Sequence, residues 1–309
     1  MFENHIGINL TETKFQLVEV SYKQNSFYLE NVDQIIFKEN LSPSFMKGLN
    51  SDNESRLFTN LQESFNKVIS KKNPVSKYVS FSLPDEFFII FEIPFDPILT
   101  RKDLIEHFKW EFSVLFPYLD SNEYLIQHIE VNKTSIRREE YAIVFSLNKK
   151  IVNAINKFCK SNNLQLKYID NAHLSSTAFL HLLENTTEEN ITFSFYIDQN
   201  YSSFAAIENK FPFYFKVIDT LKIPNSIDEI FSQLSKYGIT YDSANQIIIC
   251  GQSITDEAIL KLEEKFNQKL KKINPFERLK IEESLKKNPF YTSQFNSFTA
   301  AAGMALRVI

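Results

Sequence analysis

Glycine is scarce in this chain, with five among 309 residues. Glycine lets bare backbone N–H groups approach a phosphate, so this scarcity removes the P-loop and similar glycine-rich cradles from consideration. Cysteine is nearly absent: Cys159 and Cys250 have no CxxC neighbour and no histidine at ligand spacing. That excludes a disulfide scaffold and suits a reducing compartment. The five histidines are scattered; His173 and His181 share a helical spacing that packing explains better than metal binding. No G-x-S-x-G, H-E-x-x-H or other catalytic signature occurs, and nothing in the spacing pairs two carboxylates. Positive excess is also missing. A net charge of −4 and a pI near 5.8 argue against a nucleic-acid-binding surface. No run approaches the ~20 apolar residues of a membrane helix. No basic segment followed by an apolar stretch marks an export signal, so a cytoplasmic location is expected.

What is present is ordinary globular material, 43% apolar and 23% charged, over a length sufficient for two cores. The 30 phenylalanines accompany abundant Lys, Asn and Ile, as AT-rich codons would give, and are expected inside. Three strands open the chain, His5 to Leu10, Lys14 to Ser21 and Ser26 to Phe37. Neither face of the second is cleanly polar, which predicts a sheet covered on both sides. Leu57, Leu61, Phe65, Val68 and Ile69 then form a helical stripe, and Lys77 to Leu83 a strand. From Pro84 to Leu147 the pattern is strand, helix, strand, strand. Its helix is capped by Thr100 and ended by Pro117. Lys149 to Lys160 reads as a helix, Gln165 to Ile169 as a strand and Ala172 to Leu183 as a helix.

The opening pattern then recurs. Strands at Ile191 to Asp198, Ser203 to Glu208 and Pro212 to Ile218 precede a helix with a Ser226-x-x-Glu229 capping box and Gly238 as C-cap. Gln246 to Cys250 is a strand and Asp256 to Lys271 a helix, with Lys269 to Lys272 on its solvated face. A closing helix starts near Ser297. Two halves that each run three strands, helix, strand, helix indicate an α/β chain duplicated at the level of topology. The expected division is a first domain at 1–175, with an α+β module at 84–147 and the closing helix 297–309 returning to it. The second domain is expected at 176–296.

In both halves an apolar strand ends in Asn or Asp, turns through short polar residues and resumes as a strand. This layout resembles the actin-like (ribonuclease H-like) superfamily, and within it the PilM-like family of type IV pilus assembly proteins, itself similar to FtsA. Gly7-Ile8-Asn9-Leu10-Thr11-Glu12-Thr13 stands where the family has G-I-D-x-G-S-S, and Asp198-Gln199-Asn200 where it has D-I-G. Gly251, followed by Gln252, stands where the adenosine loop has paired glycines. Pro117-Tyr118-Leu119-Asp120, Asn274-Pro275-Phe276 and the run Ala301 to Arg307 match the family's P-F-x-L-D/E, N-P-F and A-x-G-L-A-L-R.

The resemblance implies a nucleotide site formed by Gly7, Asn9, Thr11, Asp198, Asn200 and Gly251, in degenerate form. One Mg²⁺-orienting aspartate is Asn9, and side chains at Thr11 and Asn200 crowd turns that relatives keep bare. Asp198 is read first as a turn carboxylate satisfying its own hairpin. The expectation is therefore a pseudo-ATPase without cofactor, the alternative being a weak ATP- and Mg²⁺-dependent switch. By resemblance, the partner is the N-terminal cytoplasmic peptide of a PilN-like inner-membrane protein, docked between the first domain and the module. This would tie the chain to the membrane only indirectly. Trp110, Phe112, Phe116 and Tyr118 are the expected contacts, with Trp110 favoured because it falls off the helix's apolar stripe. An FtsA-like membrane-tethered filament is disfavoured, because no amphipathic tail follows Arg307.

Overall fold

The computed structural model describes residues 4–41, 51–131, 140–178, 191–209 and 211–307. The first half runs β1 (His5–Leu10), β2 (Lys14–Lys23), β3 (Ser26–Ile36), α1 (Ser51–Lys71) and β4 (Tyr78–Leu83). The module follows as β5 (Phe88–Pro94), α2 (Arg101–Leu115), β6 (Tyr124–Val131) and β7 (Tyr141–Asn148). Next come α3 (Lys149–Ser161), β8 (Gln165–Asn171) and α4 (Ala172–Thr177). The second half runs β9 (Ile191–Ile197), β10 (Tyr201–Glu208), β11 (Phe211–Asp219), α5 (Ile223–Leu234), β12 (Gln246–Gly251), α6 (Asp256–Phe266) and β13 (Leu270–Lys272). The chain closes with β14 (Lys280–Ile281), the short helices α7 (Glu283–Lys286) and α8 (Pro289–Thr292), and α9 (Thr299–Ala305).

The duplication is explicit in the sheets. One has the order β14-β3-β2-β1-β4-β8 and the other β11-β10-β9-β12-β13. Leaving β14 aside, each half lays down an antiparallel meander and then adds two parallel strands beside its first strand. The module is a separate sheet of order β5-β7-β6.

Strand β1 is buried along its whole length, as expected of a sheet covered on both sides. On one face Ile6, Ile8 and Leu10 meet Leu57 and Leu61 of α1 and Ile155 and Phe158 of α3. On the other lies α9, in contact so close that Gly7 has no room for a side chain. A Cβ there would sit 2.5 Å from the Ala305 nitrogen and nearer still to the Ala301 carbonyl oxygen. The second half is filled by rings: Phe193, Phe204, Phe231 and Phe266 pack with centroids 5.2–6.0 Å apart.

The module uses both faces of its sheet. Ala142 and Val144 of β7 pack beneath Leu104 and Phe108 of α2. The alternate residues Tyr141, Ile143 and Phe145 face away and join the main core. There the Phe145 and Phe215 rings lie 5.4 Å apart, and the Tyr141 hydroxyl donates to the Phe213 carbonyl.

Three local expectations need correction. Helix α6 stops at Phe266 because Asn267 adopts a left-handed conformation, φ 48°; Lys271 and Lys272 then belong to β13, not to a helix face. Ser226 lies inside α5, which starts at Ile223, so the capping box does not form. Asp219 instead caps the preceding turn through the Leu221 N–H, and Gly238 ends the segment at φ 78° as expected. The closing helix begins at Thr299, two residues after Ser297. The expected helix from Ala172 to Leu183, with His181, extends outside the described residues beyond Ala178.

Candidate functional site

The two hairpins β1–β2 and β9–β10 bring their turns together at the crevice between the sheets. Their turn groups are already engaged. The Thr11 hydroxyl accepts from the backbone N–H of Thr13 (3.2 Å) and Lys14 (3.0 Å). The Gln199 N–H is taken by the Asp198 carboxylate at 2.8 Å. Across the crevice the Asn200 amide donates to the Glu12 carboxylate at 2.5 Å, so one turn is tied to the other.

Deeper in, amides fill the space. Asn9 is fully buried; it donates to the Gln16 side chain at 3.0 Å and accepts from the Ser82 hydroxyl at 2.9 Å. Gln252, just past β12, donates to Gln16 at 2.7 Å and to the Ser297 carbonyl at 2.5 Å. These bonds run from the first sheet to the end of the second. Gly251 adopts φ +122°, and a Cβ there would lie 2.7 Å from the Ile197 nitrogen. Its freedom serves the β12–β9 contact, just as Gly7 serves α9 packing rather than a turn. Of the six expected nucleotide-site residues, Asn9, Thr11, Asp198, Asn200 and Gly251 therefore gather at the crevice, while Gly7 is withdrawn under α9.

Sequence reasoning missed two further carboxylates, Asp85 and Glu86, which follow β4. Strand β4 is parallel to β1 and beside it, so both strands end at the same crevice. That rule was the available signal. Burial pushes the Glu86 carboxyl up to about 8, helped by Asp85, Asp198 and Glu12. Burial likewise raises Asp198 to about 6, with Asp85 and Glu12 adding and Lys14 opposing. Asp85 is raised by burial against hydrogen bonds from Asn171 (2.6 Å) and Ser203. The crevice thus carries four carboxyl groups, Glu12, Asp85, Glu86 and Asp198, beside turns that are tied together. Among the described residues, no group of three or more His, Cys, Asp or Glu is placed to hold a metal ion.

The expected partner contacts divide. Phe112 is 0% exposed and Phe116 half-buried; their rings pack at tilted angles on Phe91 and on each other, so Phe112 is a core residue and not a surface anchor. Trp110 (61% exposed) and Tyr118 (79%) do face outward. Neither lines the cavity nearest the first domain. A cavity of about 200 Å³ lies on the opposite face of the module's sheet, lined by Leu125, Phe145, Leu147, Val152, Leu166 and Ile169 among others. It separates β6 from β8, and each is the edge strand of its sheet. Tyr168 and Lys167 also line it; Arg307 rests on the Tyr168 ring at 4.6 Å and pairs with Asp170.

No protein-family model and no curated protein matches the chain. Solved structures do. The fold is the duplicated actin-like (ribonuclease H-like) one, in two domains: a Bacteroides thetaiotaomicron protein with the actin-like ATPase fold superposes with a TM-score of 0.55. It is 10% identical, over 97% of this chain and 95% of that one. Within that class the chain is PilM-like in shape. The structure of a PilM–PilN type IV pilus biogenesis complex matches with a TM-score of 0.73 and 15% identity, over 98% of both chains.

Proposed function

We propose that this chain is an actin-fold adaptor of a type IV pilus or related secretion or uptake machine. It works at the cytoplasmic side of the inner membrane. Its partner is the N-terminal peptide of a PilN-like membrane protein, seated in the groove between β6 and β8. The observation that carries this is the groove itself. Two unpaired sheet edges flank a floor of Phe145, Leu147 and Leu166, which suits an extended peptide that pairs its backbone with an edge and sinks alternate side chains. The similarity to a structure described as a PilM–PilN complex supports the identity of the partner. Under this reading the crevice is a pseudo-active site. The Glu12–Asn200 and Gln252–Gln16 bonds hold the two halves as nucleotide would, and no phosphoryl transfer occurs there.

The test is a titration of the protein with the fluorescently labelled N-terminal peptide of the PilN-like protein from the same genome. Saturable binding, lost in Leu125→Arg and kept in Trp110→Ala, is the expected result. Binding unaffected by Leu125→Arg, or no binding at all, rejects the groove as the seat. A parallel titration with a fluorescent ATP analogue and Mg²⁺ should show no saturation at millimolar concentration; saturable Mg²⁺-dependent binding would restore the switch reading.

A further inference from the structure

The module has a second edge, β5, and it too opens onto a cavity. This one is larger, about 530 Å³, within the roughly 300–1,000 Å³ of ordinary binding pockets. Its walls are Ile90, Phe91 and Glu92 of β5 and the four consecutive residues Tyr214 to Val217 of β11. Strand β11 is the outer strand of the second half's sheet, as β5 is of the module's. Successive strand residues point to opposite faces, so a cavity touched by every residue of a run is lined by the strand's edge, where backbone groups lie. The end of α5 and the turn after it close one side with Gln233, Lys236 and Tyr237.

We infer that this cavity is a second docking site, taking an extended acidic and apolar segment of a partner protein as an added strand on β11. The four β11 residues offer about 13 Å of edge at about 3.3 Å per residue, a seat for one short strand. Charge selects the occupant. Lys216 and Lys236 are exposed and have no carboxylate partner among the described residues, while Glu92 is the one acidic residue of the lining. A segment whose carboxylates meet the two lysines, and whose apolar side chains meet Ile90 and Val217, complements both chemistries. The site does not depend on the β6–β8 groove: it lies at the other edge of the module and uses the other half's sheet.

The experiment selects peptides on the intact protein from a random heptapeptide display library, with the β6–β8 groove disabled by Leu125→Arg. Recovered peptides should alternate apolar and acidic residues. They should slow amide exchange at Tyr214 to Val217, and bind at least tenfold more weakly to Lys216→Glu/Lys236→Glu. N-methylation at alternate peptide nitrogens should abolish binding, since it removes the edge hydrogen bonds and leaves the charges. Failure to recover any peptide that protects β11 overturns the proposal. So does equal affinity for the double-charge variant when its circular dichroism is unchanged. If that variant instead self-associates with no loss of peptide binding, the lysines only guard an edge against aggregation, and the docking assignment falls.

Discussion

The two clefts on either side of the first half are built from opposite materials. The crevice between the large sheets is polar. Its amides bond to one another, and its turns are tied by Glu12 and Asn200. The groove between β6 and β8 is apolar and open, with Leu125 exposed and Phe145 and Leu147 at its floor. Exposed apolar surface and unpaired strand edges gain from being covered. On the proposed reading, recognition falls at the module's edge rather than at the crevice.

The most drastic way to break that contrast is to disturb the polar side. Gly251→Ala should cost about 1–3 kcal/mol in backbone strain and a further ~1–3 kcal/mol in overpacking against Ile197. Chemical denaturation should show a large loss of stability, whereas Leu125→Arg, on an exposed site of the open side, should leave the midpoint nearly unchanged. Next in size is binding. Leu125→Arg should weaken the PilN-like peptide at least about tenfold, equivalent to ~1.4 kcal/mol, as anisotropy would read.

A pH series sharpens the comparison further. The folded Glu86 carboxyl lies near 8 against 4.5 for the ordinary group, so the folded state holds its proton more tightly than the unfolded one. Its contribution is fully present below about pH 4.5 and is lost as pH rises to about 8. Buried His5 and His173, lowered by burial to about 4 and about 3, act in the opposite sense below pH 6.5. The readout is therefore the difference between Glu86→Gln and wild type. The variant should gain relative stability between pH 5 and pH 8 in thermal melts, and a flat difference would mean that Glu86 is solvated. The smallest effect belongs to the turn-to-turn bond. Asn200→Ala should cost about 0.5–1.5 kcal/mol or less. It should nevertheless speed amide exchange at Thr13 and Lys14 selectively, leaving β6 and β8 as they were.

Much of the fold was legible because it is written in periodicity. The stripe from Leu57 to Val68 lies on α1, and His5 to Leu10 is β1 residue for residue. Gly238 marks a chain reversal as glycine should. The failures have local causes. Asn267 ended α6 by taking a conformation that composition does not announce, and Ser226 offered a capping pattern in a stretch where Asp219 and Pro224 had already started the turn. The site was half legible. Asn9, Thr11, Asp198 and Asn200 were located through the hairpin layout. Asp85 and Glu86 were passed over, because only the parallel pairing of β4 with β1 carries them to the crevice. Phe112 shows what helical spacing can and cannot tell: it marked the apolar face of α2 but not the cavity on the far side of the sheet.

The seating of α9 on β1 bears on how the protein comes into being at the ribosome. Strand β1 is completed by a helix at residues 299–305, which is made far later, and Gly7 admits that helix only at backbone contact. Until those residues emerge, β1 lacks its α9 cover while the whole second half is being synthesised. At about 5–20 residues per second that exposure lasts on the order of tens of seconds. A chaperone that shields apolar sheet surface would find its natural client in the nascent chain, and a ribosome stalled before Thr299 would leave a product prone to aggregate rather than a working first domain.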